Sequence, residues 1–276
     1  MNLDLDRRQR AILDEMGVHV WWPETPPVAA ATTPAAVATA MPAPKPIARA
    51  APEPDSAPAS IAAMAVERVA SLDWATLAQT VAACTACGLS AGRRSAVFTA
   101  APAPHSAHWM VVGEPPDDNE ERLGLPFAGQ AGQLLDNMLK AVGVRRAGHD
   151  GAAAEVAGAA YLSNCVKCRP ALARNPEPLE LAACENYLQR EVALVRPKVI
   201  LALGRFAAQT LLQGSLPDVV GTPLGKLRGE VHHMPTQTAP VVVTYHPAYL
   251  LRSPGEKRKA WADLEFAREV ARGARA

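Results

Sequence analysis

The stretch HWMVVGE, residues 108–114, continuing as PPDDNEERLGLPFAGQAGQLLDNMLKAV, residues 115–142, decides the fold. His108 to Glu114 is a short apolar run ending on Gly-Glu and reads as a strand buried on both faces, while Gly129 to Val142 places its apolar side chains at helical spacing. The alternation continues with a strand over Ala159 to Val166, a helix over Pro178 to Val195, a strand over Lys198 to Gly204 and a helix over Arg205 to Leu212. Strands near Glu230 to Met234 and Val241 to Tyr245 follow, then a terminal helix from Lys257; a helix over Ala62 to Ala83 precedes the whole series. Short apolar strands separated by amphipathic helices predict a three-layer α/β/α domain with a mainly parallel central sheet. Such sheets keep their working residues beyond the carboxyl ends of the strands, which points to Gly113-Glu114, Asn164 and His246-Pro247.

Outside this domain the composition changes. From Glu24 to Ala63, 24 of 40 positions are Ala or Pro, so prolines break any helix and few large apolar side chains remain to offset the entropy of ordering. The expected organisation is a docking segment over residues 1–23, a disordered linker over 24–63 and a folded domain over 64–276. Within the first segment, Ile12, Leu13 and Met16 recur at helical spacing and Trp21-Trp22 follow. These side chains would dock on a partner or pack on the chain's own domain.

Net charge is +1, from 28 basic and 27 acidic residues, which excludes a uniformly polybasic nucleic-acid binder but allows a local basic groove. No run of roughly 18 apolar residues predicts a membrane span, and the N-terminus lacks the pattern of a secretory signal, so the expected location is cytoplasmic. The five cysteines, Cys84, Cys87, Cys165, Cys168 and Cys184, are odd in number and bunched, which suits metal or cluster ligation better than a disulfide scaffold. Nucleotide and serine-hydrolase motifs are missing. The nearest approach to a phosphate loop, Gly221 to Leu227, is one residue short between its glycines and carries Leu where magnesium needs a hydroxyl. No G-x-G-x-x-G follows a strand and no G-x-S-x-G elbow occurs.

Three strand ends each deliver a polar residue: Glu114 before PPDDNEERLGLPFAGQAG, Asn164 before CVKCRP, and His246 in HPAYLLR. Glu121 to Asp136 reads E-x-x-G-x-PF-x-G-x-AG-x-LLD, and Cys184 lies downstream of KCRP. In this order the motifs resemble family 4 uracil-DNA glycosylase, the iron-sulfur type of bacteria and archaea, over roughly Ala83 to Leu264. The resemblance implies an enzyme that hydrolyses the N-glycosidic bond of uracil in DNA and leaves an abasic site. An enzyme working on a base must extrude it, sandwich its ring and read its edge. Phe127 is then the stacking side chain and Asn164 the edge reader, its amide offering a donor to uracil O4 and an acceptor to N3–H. His246 would stabilise the departing uracil anion at O2. Glu114 and Glu120 would place water and stabilise the cationic sugar. The family's GEAPG stands here as Gly113-Glu114-Pro115-Pro116-Asp117, so a carboxylate and a Cβ replace a glycine at the end of the turn.

The resemblance assigns Cys84, Cys87, Cys168 and Cys184 to a [4Fe-4S] cluster. Cys165 with Cys168 also forms a C-x2-C pair, so Cys84, Cys87, Cys165 and Cys168 make an alternative structural zinc set. Phosphate contacts are expected from Arg169 and Arg252, within a wider group of Lys167, Arg174, Lys226, Arg228, Lys257, Arg258 and Lys259. Leu250 and Leu251 are candidates for an apolar wedge filling the hole left by the extruded base. The expected partner is uracil-containing DNA bound by a monomer. Residues 7–22 also resemble the start of the psi accessory subunit of bacterial DNA polymerase III, implying a tether to the replication machinery. The alternative reading is a non-catalytic, replication-associated DNA-binding module with the same fold.

Overall fold

Trp109–Gly113 (β1) and Val199–Leu203 (β4) are buried at every position, which a strand achieves only when both faces of its sheet are covered. The computed structural model, which describes residues 69–99, 107–147 and 158–273, supplies both covers. Arg145–Arg146 (β2), Ala159–Asn164 (β3), Val231–His233 (β5) and Pro240–Thr244 (β6) complete a six-stranded sheet in the order β2-β3-β1-β4-β6-β5. All pairings are parallel except that of edge strand β5 with β6.

Strand alternation divides the core into two layers. Met110, Val112, Ile200, Ala202, Val241 and Val243 point to one face. There they meet Trp74–Ala83 (α1), Pro178–Val195 (α4) and Arg205–Leu212 (α5) through Leu77, Leu188 and Leu211. Trp109, Val111, Leu201, Leu203 and Val242 point the other way, onto Leu135 and Leu139 of Gly129–Ala141 (α3) and Leu264 and Ala267 of Lys257–Ala271 (α8). Each buried leucine contributes roughly 2 kcal/mol of transfer free energy, so both helical covers are held on the sheet largely by apolar burial.

The differences from the sequence expectation have local causes. Asp73 caps α1 by accepting the Thr76 N–H at 2.8 Å, and residues 71–73 are non-helical, so Ala62 to Ala83 is not one continuous helix. Short Asp118–Leu123 (α2), Leu224–Leu227 (α6) and Pro247–Arg252 (α7) carry too few residues to show a period. β3 ends at Asn164, two residues earlier than expected, and the Cys165 N–H makes the last bond to β1, to the Gly113 carbonyl at 2.9 Å. The expected docking segment and linker lie outside the described residues, as does the start of the expected domain.

Candidate active site

The parallel register sets Gly113 beside Asn164 and Leu203 beside Thr244, so the carboxyl ends of β1, β3, β4 and β6 open on the same side. Beyond them lies a cavity of about 670 Å³ whose lining includes Glu114, Glu120, Phe127, Arg205, His246 and Arg252.

Glu114 follows β1 directly. Its Oε1 accepts the Phe206 N–H at 2.9 Å, at the start of α5. Gly204 makes room for it: a Cβ there would stand 2.2 Å from Oε1, and its φ of 99° is one that side-chain-bearing residues avoid. Burial pushes the Glu114 carboxyl up to about 7 against the weaker opposing pull of the Phe206 N–H and Arg205.

Pro115 to Asp117, where this chain departs from the family turn, closes as a helix start. Asp117 Oδ1 accepts the Glu120 N–H at 2.9 Å and Glu120 Oε2 accepts the Asp117 N–H at 2.7 Å, a reciprocal capping box. With φ at −90° Asp117 is in ordinary extended backbone, so the position places no demand for glycine.

Glu120 is the hub of the site. Its Oε1 also accepts the Phe127 N–H at 2.5 Å and an Asn164 Nδ2 hydrogen at 3.1 Å, so one buried carboxylate ties together the capped turn, the aromatic and the amide. Burial raises its pKa against these donors. Both of its oxygens are thus engaged by N–H groups, three donors in all.

The second Asn164 Nδ2 hydrogen goes to the Glu114 carbonyl at 2.9 Å, and Oδ1 is a buried polar atom with no partner. Both acceptors being oxygens, the amide orientation is unambiguous. The expectation of a donor to uracil O4 therefore needs correcting, because both amide hydrogens are already committed and the side chain offers an acceptor. Asn164 itself is not among the residues lining this cavity, but its amide is bonded to Glu120, which is.

Phe127 is buried and stacks on His246 at 5.6 Å between ring centroids and 23° between planes. The tip of its ring faces Gly113, where a Cβ would come within 2.5 Å of Cζ. His246 caps α7, its Nδ1 accepting the Ala248 N–H at 3.3 Å. That bond places the ring proton on Nε2. Burial first, then the Arg252 charge, lowers the pKa of His246 to about 4, so the imidazole is neutral near pH 7 with Nε2–H as a free-standing donor.

The expected DNA-contacting residues separate clearly. Leu250 is 1% exposed and belongs to the core, so it is not a wedge; Leu251, one residue on, is 41% exposed. Arg169 is held by Glu121 Oε2 through Nε at 2.9 Å, with Asp118 at 3.6 Å from Nη2, so its charge is already partnered. Lys167 is buried against Glu191 at 2.6 Å, Arg174 pairs with Glu180 at 2.6 Å and Arg228 with Asp263 at 2.7 Å. Arg252, Lys226, Lys257 and Arg258 are exposed and outside the ion pairs of the described residues. Arg205 at the cavity wall was missed by sequence reasoning, although its place just after β4 was a usable signal.

Cys84, Cys87, Cys168 and Cys184 line one small cavity away from the first; Cys165 is buried elsewhere, beside Gly113. Three of the four sulfurs receive N–H donors: Cys84 from Ala86 at 3.5 Å, Cys168 from Arg93 Nη1 at 3.1 Å and Cys184 from Lys167 at 3.2 Å. The thiols share the cavity without closing on a common point, and no group of three or more ligating side chains is drawn together for a metal among the described residues.

Comparison with known proteins now bears on this geometry. The model of the uracil DNA glycosylase superfamily matches residues 101–265. A type-4 uracil-DNA glycosylase of Archaeoglobus fulgidus is 35% identical over 161 residues, covering 58% of this chain and 74% of the relative. That of Thermotoga maritima is 34% identical over 197 residues, covering 70% and 91%. The chain belongs to the type-4 uracil-DNA glycosylase family. A third type-4 glycosylase, from Sulfurisphaera tokodaii, is 33% identical over 168 residues, 60% of this chain and 70% of its own. The family match covers β1, β3, β4 and β6, the four strands whose ends build the cavity of this type-4 glycosylase.

Proposed function

We propose that this chain hydrolyses the N-glycosidic bond of uracil in DNA, a base-excision step, with Glu114 and His246 as the reacting pair. The observation that carries the reading is that Glu114 and a neutral, Nε2-protonated His246 line one cavity with Phe127, whose ring stacks on the imidazole. An extruded uracil would stack on Phe127, with Asn164 Oδ1 as the acceptor for N3–H; the unpartnered state of that buried oxygen supports this. The bond between C1′ and N1 breaks through an oxocarbenium-like sugar, both bonding electrons leaving with uracil N1. His246 Nε2–H hydrogen-bonds O2 of the departing anion. Ionised Glu114 orients water towards C1′ and accepts a proton as the new C–O bond forms. Uracil then takes a proton from solvent, leaving an abasic site. Glu120 acts by holding Phe127 and Asn164.

Cys84, Cys87, Cys168 and Cys184 would hold a [4Fe-4S] cluster. Four sulfurs on one cavity, three with N–H donors, fit such a group, and Cys165 lies outside the set. When bound, the cluster would serve as a covalent cross-link joining the end of α1, the loop after β3 and α4. Arg252 and exposed Leu251 are proposed for phosphate contact and for filling the emptied stack. The reading extends to a folded domain over 64–276 and to a cytoplasmic, nucleoid-associated monomer, for which a DNA substrate is the support. A replication partner for residues 7–22 falls outside the described residues.

A non-catalytic module is the less favoured reading, because the altered turn forms a regular cap and leaves Glu114 in the cavity. The deciding experiment incubates the full chain with a uracil-containing oligonucleotide, followed by alkali. Strand scission at uracil and none at thymine or cytosine is expected; an intact uracil strand overturns the enzyme.

A further inference from the structure

We propose that Arg146, with Asp136 and Gly132, is the positioning device that holds Phe127 in its base-stacking pose; this rests on the stacking role given to Phe127 above. Phe127 has φ of 53°, a left-handed backbone that a phenylalanine adopts only when its surroundings enforce it. That turn brings two consecutive carbonyls to one side, and Arg146 receives both. Its Nη1 donates to the Pro126 carbonyl at 3.0 Å and its Nη2 to the Phe127 carbonyl at 3.1 Å. The guanidinium is oriented in turn by Asp136, whose Oδ1 accepts from Nε at 3.1 Å.

Gly132 completes the arrangement. A Cβ at this position would stand 1.7 Å from the Phe127 carbonyl oxygen and 3.3 Å from Arg146 Nη2, so only glycine lets the α3 backbone approach the clamp. Glu120 secures the N–H side of the same residue at 2.5 Å. Phe127 is thus gripped by an anion at its N–H and a cation at its carbonyl, and the ring is delivered against His246. Arg146 itself is on β2, anchored through its pairing with Ala160 of β3. No lysine could reproduce the fork, since its single ammonium lacks the fixed in-plane geometry that reaches two carbonyls and a carboxylate together.

The test uses single-turnover cleavage of a uracil-containing single-stranded oligonucleotide by the full chain, at saturating enzyme and below the melting transition. The variants are Arg146→Met, Arg146→Lys, Phe127→Ala and the Arg146→Met/Phe127→Ala pair. Arg146→Met is expected to slow cleavage ~10- to 100-fold, as misplacement of a positioning group does. Arg146→Lys should recover only part of this, and in the Phe127→Ala background Arg146→Met should cost less than ~2-fold, because the clamp has nothing left to place. Arg146→Met at the unaltered rate, or a double variant whose loss is the product of the two single losses, overturns the proposal while leaving the stacking role intact. An undiminished rate for Phe127→Ala overturns the stacking role itself and the proposal with it. Should Arg146→Met fail to fold, the same cycle with Arg146→Lys decides the matter.

Discussion

Glu120 Oε1 accepts an amide hydrogen of Asn164 at 3.1 Å and the backbone N–H of Phe127 at 2.5 Å, so one carboxylate oxygen joins the residue proposed to read the base to the residue proposed to stack on it. Its other oxygen closes the cap on Asp117. Glu120→Ala should therefore lower the cleavage rate and also destabilise the fold by about 2–4 kcal/mol, since buried N–H groups lose a charged acceptor. Urea denaturation alongside the oligonucleotide assay checks both. Glu120→Gln, which keeps the shape but places an amide hydrogen against one of the donors, should fall between.

Activity should rise with pH through about 7, the value to which burial raises Glu114, because the proposed role needs the ionised carboxylate. His246 adds no limb near neutrality, its pKa of about 4 leaving it neutral throughout that range. Glu114→Gln should abolish the limb and most of the rate. The sign for stability is opposite. A carboxyl whose folded pKa is raised contributes stability that is fully present below its unfolded value near 4.5 and lost as pH climbs through about 7. Glu114→Gln should thus raise the melting temperature at pH 8 and gain little at pH 4, as thermal scans at the two pH values would reveal.

His246→Ala should slow the chemical step by about 100-fold, equivalent to ~3 kcal/mol for one oxyanion donor. The KM for the oligonucleotide should change much less. An equal loss in both would indicate that the imidazole only helps to bind DNA.

Purified protein should be brown, with broad visible absorption and bound iron. Cys184→Ala should bleach it, whereas Cys165→Ala should not, because Cys184 lines the four-cysteine cavity and Cys165 is buried elsewhere. Colourless protein carrying stoichiometric zinc would favour the other ligand set.

Leu250 and Leu251 are neighbours with opposite fates. Leu250→Ala should cost about 2–4 kcal/mol of stability, as a core deletion does. Leu251→Ala should leave stability unchanged and slow uracil removal from duplex DNA more than from single strands. Arg252→Ala should weaken binding to DNA of any sequence and flatten the salt dependence by about one phosphate contact; an unchanged slope removes it from the interface.

The apolar runs and helical periods of the chain were enough to predict the strand order along the sequence, the two covered faces and the strand ends at which Glu114, Asn164 and His246 sit, because burial on both faces leaves a compositional trace that needs no partner to be read. Short elements escaped: six residues of α2 or α7 carry no period, and two-residue β2 carries no pattern. What remained hidden were properties of pairs. Whether Leu250 or Leu251 faces solvent depends on the rotation of one short helix against α3, and whether Arg169 is free depends on Glu121, 48 residues away in the chain. The tautomer of His246, the direction of the Asn164 amide and the grip of Arg146 on Phe127 are likewise decided by atoms that only folding brings within hydrogen-bond reach. Such bonds act over about 3 Å, a range on which separation along the chain carries no information.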